Sequence, residues 1–64
     1  MRTTTYRGYK IRHGRGLEWF AHIYRPSSPL IMTDGVVTAS LGEGEAVALE
    51  RAKARIDAEE KKSR

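Results

Sequence analysis

Through its first two-fifths the chain tends to alternate outward and inward positions, as strands do. Tyr6 to His13 and Leu17 to Tyr24 are rich in aromatic and β-branched residues and read as two strands. Gly14-Arg15-Gly16 separates them, a short glycine-bearing hairpin loop. A three-residue loop there predicts that Ile11 faces Trp19, Tyr9 faces Ala21 and Arg7 faces Ile23. On the other side Arg12 faces Glu18, Lys10 faces Phe20, Gly8 faces His22 and Tyr6 faces Tyr24. This register supplies one cross-strand ion pair and several aromatic contacts. A two-residue loop would set Ile11 against Glu18 instead.

Arg25-Pro26-Ser27-Ser28-Pro29 breaks the pattern, because two prolines cannot continue a central strand. Leu30-Ile31-Met32-Thr33 and Val36-Val37-Thr38-Ala39 follow, with Asp34-Gly35 between them as a type I′ turn signal. This segment is either a second hairpin or one strand preceded by an extended loop. Ser40-Leu41-Gly42-Glu43 fits a capping box and predicts a helix from there to about Lys61. Leu41, Ala48, Leu49, Ala52 and Ile56 form a narrow stripe at helical spacing. Glu43 and Glu45 near its start and Lys61, Lys62 and Arg64 near its end suit the helix dipole, and Asp57–Lys61 is a favourable i,i+4 pair. The expected fold class is α+β: an antiparallel sheet of three to four strands with one C-terminal helix on one face, in the order β-β-(β)-β-α. Residues 1–64 form a single small domain, with 1–5 and 62–64 expected to fray.

Composition narrows the function classes. At 64 residues there is room for one domain only. Without cysteine there is no disulfide scaffold, no Cys-based zinc site and no thiol chemistry. No apolar run approaches a membrane span, and Met1 to Gly16 is polar and basic, unlike a secretory leader, so a cytoplasmic location and no membrane partner are expected. Twelve Lys and Arg against eight Asp and Glu give a net charge of +4. That charge is uneven. Residues 1–25 hold six basic residues and one acid, and residues 26–64 hold six basic and seven acidic.

One helix covers one sheet face, which leaves the other open. The register puts Tyr6, Lys10, Arg12, Phe20, His22 and Tyr24 on the open face, and Tyr9, Ile11, Trp19, Ala21 and Ile23 toward the helix. Aromatic rings among basic residues suit nucleic acid: rings stack on bases and cations neutralise phosphates. Arg15 at the loop tip and Arg25 after the second strand extend the candidate contacts; the flanking glycines equally fit a loop needing positive φ. The same face also fits a protein partner or a homodimer interface. A catalytic reading has little to stand on. His13 and His22 point to opposite faces in this register, no metal-ligand spacing exists, and no serine sits in a nucleophile motif. Gly42-Glu43-Gly44 at the helix start lacks the Lys of a phosphate loop. The expectation is a non-catalytic binding module with no cofactor and no metal. Its partner is nucleic acid or a nucleic-acid-processing protein.

Two runs carry a family resemblance. Glu18-Trp19-Phe20-Ala21-His22-Ile23 in one strand, and Glu45-Ala46 through Ala52-Lys53 to Ile56-Asp57 in the closing helix, resemble the N-terminal part of HicB-type antitoxins over about residues 6–57. The resemblance implies a partial RNase H-like fold and antitoxin-type protein binding. The antitoxins' Gly-Cys loop and DNA-binding tail have no counterpart here. The strand-helix plan with a basic face also resembles integrase arm-binding domains and the plant GCC-box-binding domain. In size the chain is similar to small inhibitor proteins of phages and mobile elements.

Overall fold

The computed structural model describes residues 1–62, the side chains of Thr33 and Asp34 excepted. It is an α+β fold. Four strands, β1 (Arg2–Tyr6), β2 (Tyr9–Arg15), β3 (Trp19–Tyr24) and β4 (Ile31–Ala39), precede one helix, α1 (Glu45–Lys62). The sheet is an antiparallel meander in the order β1-β2-β3-β4. Of residues 1–5, expected to fray, Arg2 to Thr5 belong to β1, whose Thr3-Thr4-Thr5 run favours extended backbone. For the other end, Lys62 closes α1, and residues 63–64 lie outside the described residues.

β1 and β2 are joined by Arg7-Gly8, both with positive φ (52° and 85°), the conformation of a two-residue I′ turn. The turn sets Tyr6 opposite Tyr9, so both rings lie on the helix side. Tyr6 was expected on the open face, paired with Tyr24. That expectation fails because a turn with two central residues resets the alternation between its strands.

The β2–β3 register also differs from expectation. Ile11 pairs with Ile23, Arg12 with His22 and Arg15 with Trp19, and the loop is Gly16-Leu17-Glu18. The loop still has three residues but sits two positions later along the chain. The slip is even in every pair, so each residue of β2 and β3 keeps its expected face. Gly14 and Gly16 have no positive φ, and Gly14 is an interior strand residue.

β4 runs through Asp34-Gly35 without turning back. The one-strand alternative holds, and the turn signal marks a bulge: His22 pairs with Val36, but Tyr24 pairs with Ile31. Ser40-Leu41-Gly42-Glu43 makes a turn, with Glu43 N–H and Gly44 N–H donating to the Ser40 carbonyl. Gly44, at φ 91°, then separates this turn from α1, so the helix begins at Glu45 and Leu41 is left exposed. The Glu43 carboxylate still accepts from Ser40 N–H at 2.9 Å, as a capping box requires, and pairs with Arg51 at 2.6 Å. These contacts, the Ser40 N–H first, hold the Glu43 carboxyl below its ordinary value of 4.5. A depressed carboxylate stabilises the fold above its unfolded value and loses that contribution as pH falls through its folded value. Thermal melts of Glu43→Gln should therefore depend less on pH at the acid end than those of the parent; identical acid limbs would contradict the assignment.

The core is small. Ile11, Ile23, Ala21, Ala48, Ala52 and Ile56 are fully buried, with Tyr9, Met32 and Val37 beside them and Leu49 packed at the edge. Alanines at 48 and 52 let the helix lie close to the sheet. Ion pairs tie the margins: Arg2 to Glu45 at 3.6 Å, Arg7 to Asp57 at 3.3 Å and Arg25 to Glu59 at 2.6 Å. Asp57 also accepts from the Tyr6 hydroxyl at 2.9 Å, in place of the expected partner Lys61. That bond, above all, raises the Tyr6 phenol above its ordinary value.

His13 is the buried polar residue of the core, at 3% exposure. Its Nδ1 donates to the Glu45 carboxylate at 2.8 Å, and its Nε2 meets the Thr4 hydroxyl at 2.9 Å. One ring thus joins β1, β2 and the first turn of α1. Replacing it by leucine removes one bond from the Glu45 carboxylate, which keeps Arg2, and takes the Thr4 hydroxyl's ring partner away, at a cost of about 1–3 kcal/mol. Urea unfolding of His13→Leu should show that loss. An unchanged midpoint would mean that water replaces both bonds.

Candidate nucleic-acid interface

The face of the sheet turned away from α1 is a grid fixed by the register. Thr5, Lys10, Tyr24 and Ile31 form one row across the strands. Thr3, Arg12, His22 and Val36 form the next, and Gly14, Phe20 and Thr38 the third. Met1 lies beyond β1 at the end of that third row, 3.8 Å from where a Gly14 Cβ would stand.

Five of the eight candidate residues meet here: Lys10, Arg12, Phe20, His22 and Tyr24. Three do not. Tyr6 lies under α1, with its hydroxyl on Asp57 and the Lys53 ammonium 5.6 Å from its ring centre. Arg15 is the last residue of β2, opposite Trp19, and alternation puts it on the helix side rather than at a loop tip. Arg25 turns to α1 and donates to Glu59. The surplus of positive charge in residues 1–25 is therefore split, since Arg2, Arg7 and Arg25 are neutralised by helix carboxylates.

Lys10 and Arg12 are different. Both are exposed, and neither has an acidic partner among the described residues. No acid occupies any of the paired positions on this face. They are adjacent outward positions on β2, about 7 Å apart along the strand. Beside them runs a file of rings on β3. Phe20 and His22 are in contact, with centroids 5.1 Å apart and planes tilted by 38°. All three rings of the file are partly exposed.

Gly14 explains how Phe20 is held. A Cβ there would stand 3.1 Å from Phe20 Cζ and 3.4 Å from Cε2. The ring leans across β2 into the space that glycine leaves, instead of standing upright from the sheet. Its support was hidden in the sequence, where Gly14 reads as a loop residue. The Thr3-Thr4-Thr5 run was the available signal for β1, and Gly8 after Arg7 for its turn.

Two shallow clefts flank the grid. At one end Thr3, Lys10, Arg12 and Tyr24 meet Ser28 and Pro29 of the β3–β4 loop. At the other, Met1, Leu17, Phe20, His22 and Thr38 form a mostly apolar trough with Glu18 on its rim. His22 belongs to this outer face and His13 to the buried one, so the two imidazoles share no site. No group of three or more metal-ligating side chains occurs among the described residues. No helix of the structure is long and apolar enough to cross a membrane. Compared with known proteins, the chain matches no family model, no curated protein and no solved structure.

Proposed function

We propose that this chain is a non-catalytic binding module whose open sheet face holds nucleic acid. The observation that carries the reading is the contrast in charge. The helix neutralises Arg2, Arg7 and Arg25, while Lys10 and Arg12 have no acidic partner among the described residues and stand beside three rings, at paired positions that hold no carboxylate. Cations so placed meet phosphates, and the rings offer π faces to bases. Fluorescence anisotropy with labelled oligonucleotides at low salt tests this. Binding that weakens as salt rises is expected; no binding to any single- or double-stranded oligonucleotide would sink the reading.

A second reading rests on the β4 side of the same face. Leu30 is 73% exposed and Val36 54%, next to Ile31. An apolar margin of this kind suits a protein partner, such as a nucleic-acid-processing enzyme inhibited in the manner of phage or antitoxin-like proteins, or a second copy of the chain. Recovery of one stoichiometric partner with no oligonucleotide binding would favour it. Sedimentation as a monomer at high concentration would remove the homodimer.

A further inference from the structure

From the layout of the open face we infer that the nucleic acid it takes is single-stranded, with unpaired bases on the Phe20 end and phosphates at the Lys10–Arg12 end. This rests on the nucleic-acid reading above and goes beyond it. Three observations converge. The first is width. Four strands put the outer strand axes about 14 Å apart, wider than the roughly 12 Å major groove of a duplex. Lys10, Arg12 and the rings lie on the two inner strands, so the face cannot bring them to base edges inside a groove. An unpaired strand lying on the face meets no such limit.

The second is the pose of Phe20. The ring is leaned over Gly14 and propped against His22, an arrangement that holds it in place before any ligand arrives. A base can stack on such a ring without ordering it first, and one base–aromatic stack changes affinity by about tenfold. Bases locked in a duplex do not expose that surface.

The third is polarity of the two ends. The trough around Phe20 is apolar and has Glu18 on its rim, which repels phosphate and tolerates a neutral base. The cleft at the other end joins Lys10 and Arg12 to the hydroxyl-bearing residues Thr3, Tyr24 and Ser28, groups that donate to phosphate oxygens.

The test compares labelled oligodeoxyuridylate and oligouridylate with a mixed-sequence duplex of the same length, by anisotropy at low salt. Either single strand should bind about tenfold or more tighter than the duplex, and the two arms identify the sugar. Phe20→Ala should weaken single-strand binding about tenfold. Gly14→Ala, which displaces the ring without removing it, should weaken it in the same direction. Circular dichroism verifies that both variants fold, and His22→Ala serves as a third probe of the ring pair should either fail. If the duplex binds as tightly as the single strands and the ring variants change nothing, the inference is overturned and the nucleic-acid reading stands. If no oligonucleotide binds, both fall together.

Discussion

Gly35→Ala should unfold this domain at markedly lower temperature than the parent. Gly35 is buried in the β4 bulge, and a Cβ there would stand 2.7 Å from the Met32 carbonyl oxygen and 2.9 Å from that of Ile23. Both are backbone atoms, so no side-chain rotation relieves the clash. Met32 Cβ, at 3.1 Å, closes the third side. The φ of Gly35 is not in the left-handed region, so space alone demands glycine. Overpacking of this kind costs about 1–3 kcal/mol, and sometimes more. A domain of this size holds only about 3–5 kcal/mol in reserve. The melting temperature should fall by about 4–24 °C. A midpoint within about 2 °C of the parent would mean that the bulge between His22 and Tyr24 is built differently.

Joint replacement of Lys10 and Arg12 by alanine should have the largest effect on binding. Both side chains are exposed, so stability should change by less than about 0.5 kcal/mol each. If each neutralises one phosphate of a single strand, the slope of log affinity against log salt should fall by about 0.7 per residue removed. Low-salt affinity should drop about tenfold or more. Arg7→Ala is the informative control, because Arg7 already faces Asp57 across 3.3 Å. It should leave the salt slope nearly intact. Equal losses from Arg7→Ala and Arg12→Ala would show that net charge, rather than this face, drives association.

Much of the fold follows from patterns that tolerate error. Face assignment in β2 and β3 depends only on whether a register slip is even or odd. Moving the loop from Gly14-Arg15-Gly16 to Gly16-Leu17-Glu18 was even, so Lys10, Arg12, Phe20, His22 and Tyr24 stayed together. The Arg7-Gly8 turn was not tolerant. It folded Tyr6 back over Tyr9 and moved it to the helix. Arg-Gly is a weaker turn signal than Asp-Gly, yet Arg7-Gly8 turns and Asp34-Gly35 does not. Tertiary packing decides between them: the glycine at 35 is demanded by close backbone approach, a cause invisible in a local window.

The site was legible only in part for a similar reason. The excess charge of the first 25 residues is plain in the sequence, but its division is not. Arg2, Arg7 and Arg25 meet carboxylates more than thirty residues away, and only the docked helix reveals those pairs. What remains on the open face is smaller than the raw charge suggests and more sharply located.

The most direct test of that location is amide chemical-shift mapping of the isotopically labelled protein with a short single-stranded oligonucleotide. The largest shifts are predicted at Lys10, Arg12, Phe20, His22 and Tyr24, with Ala48, Ala52 and Ile56 of the helix unmoved. Shifts centred on α1, or none at all, would contradict the account.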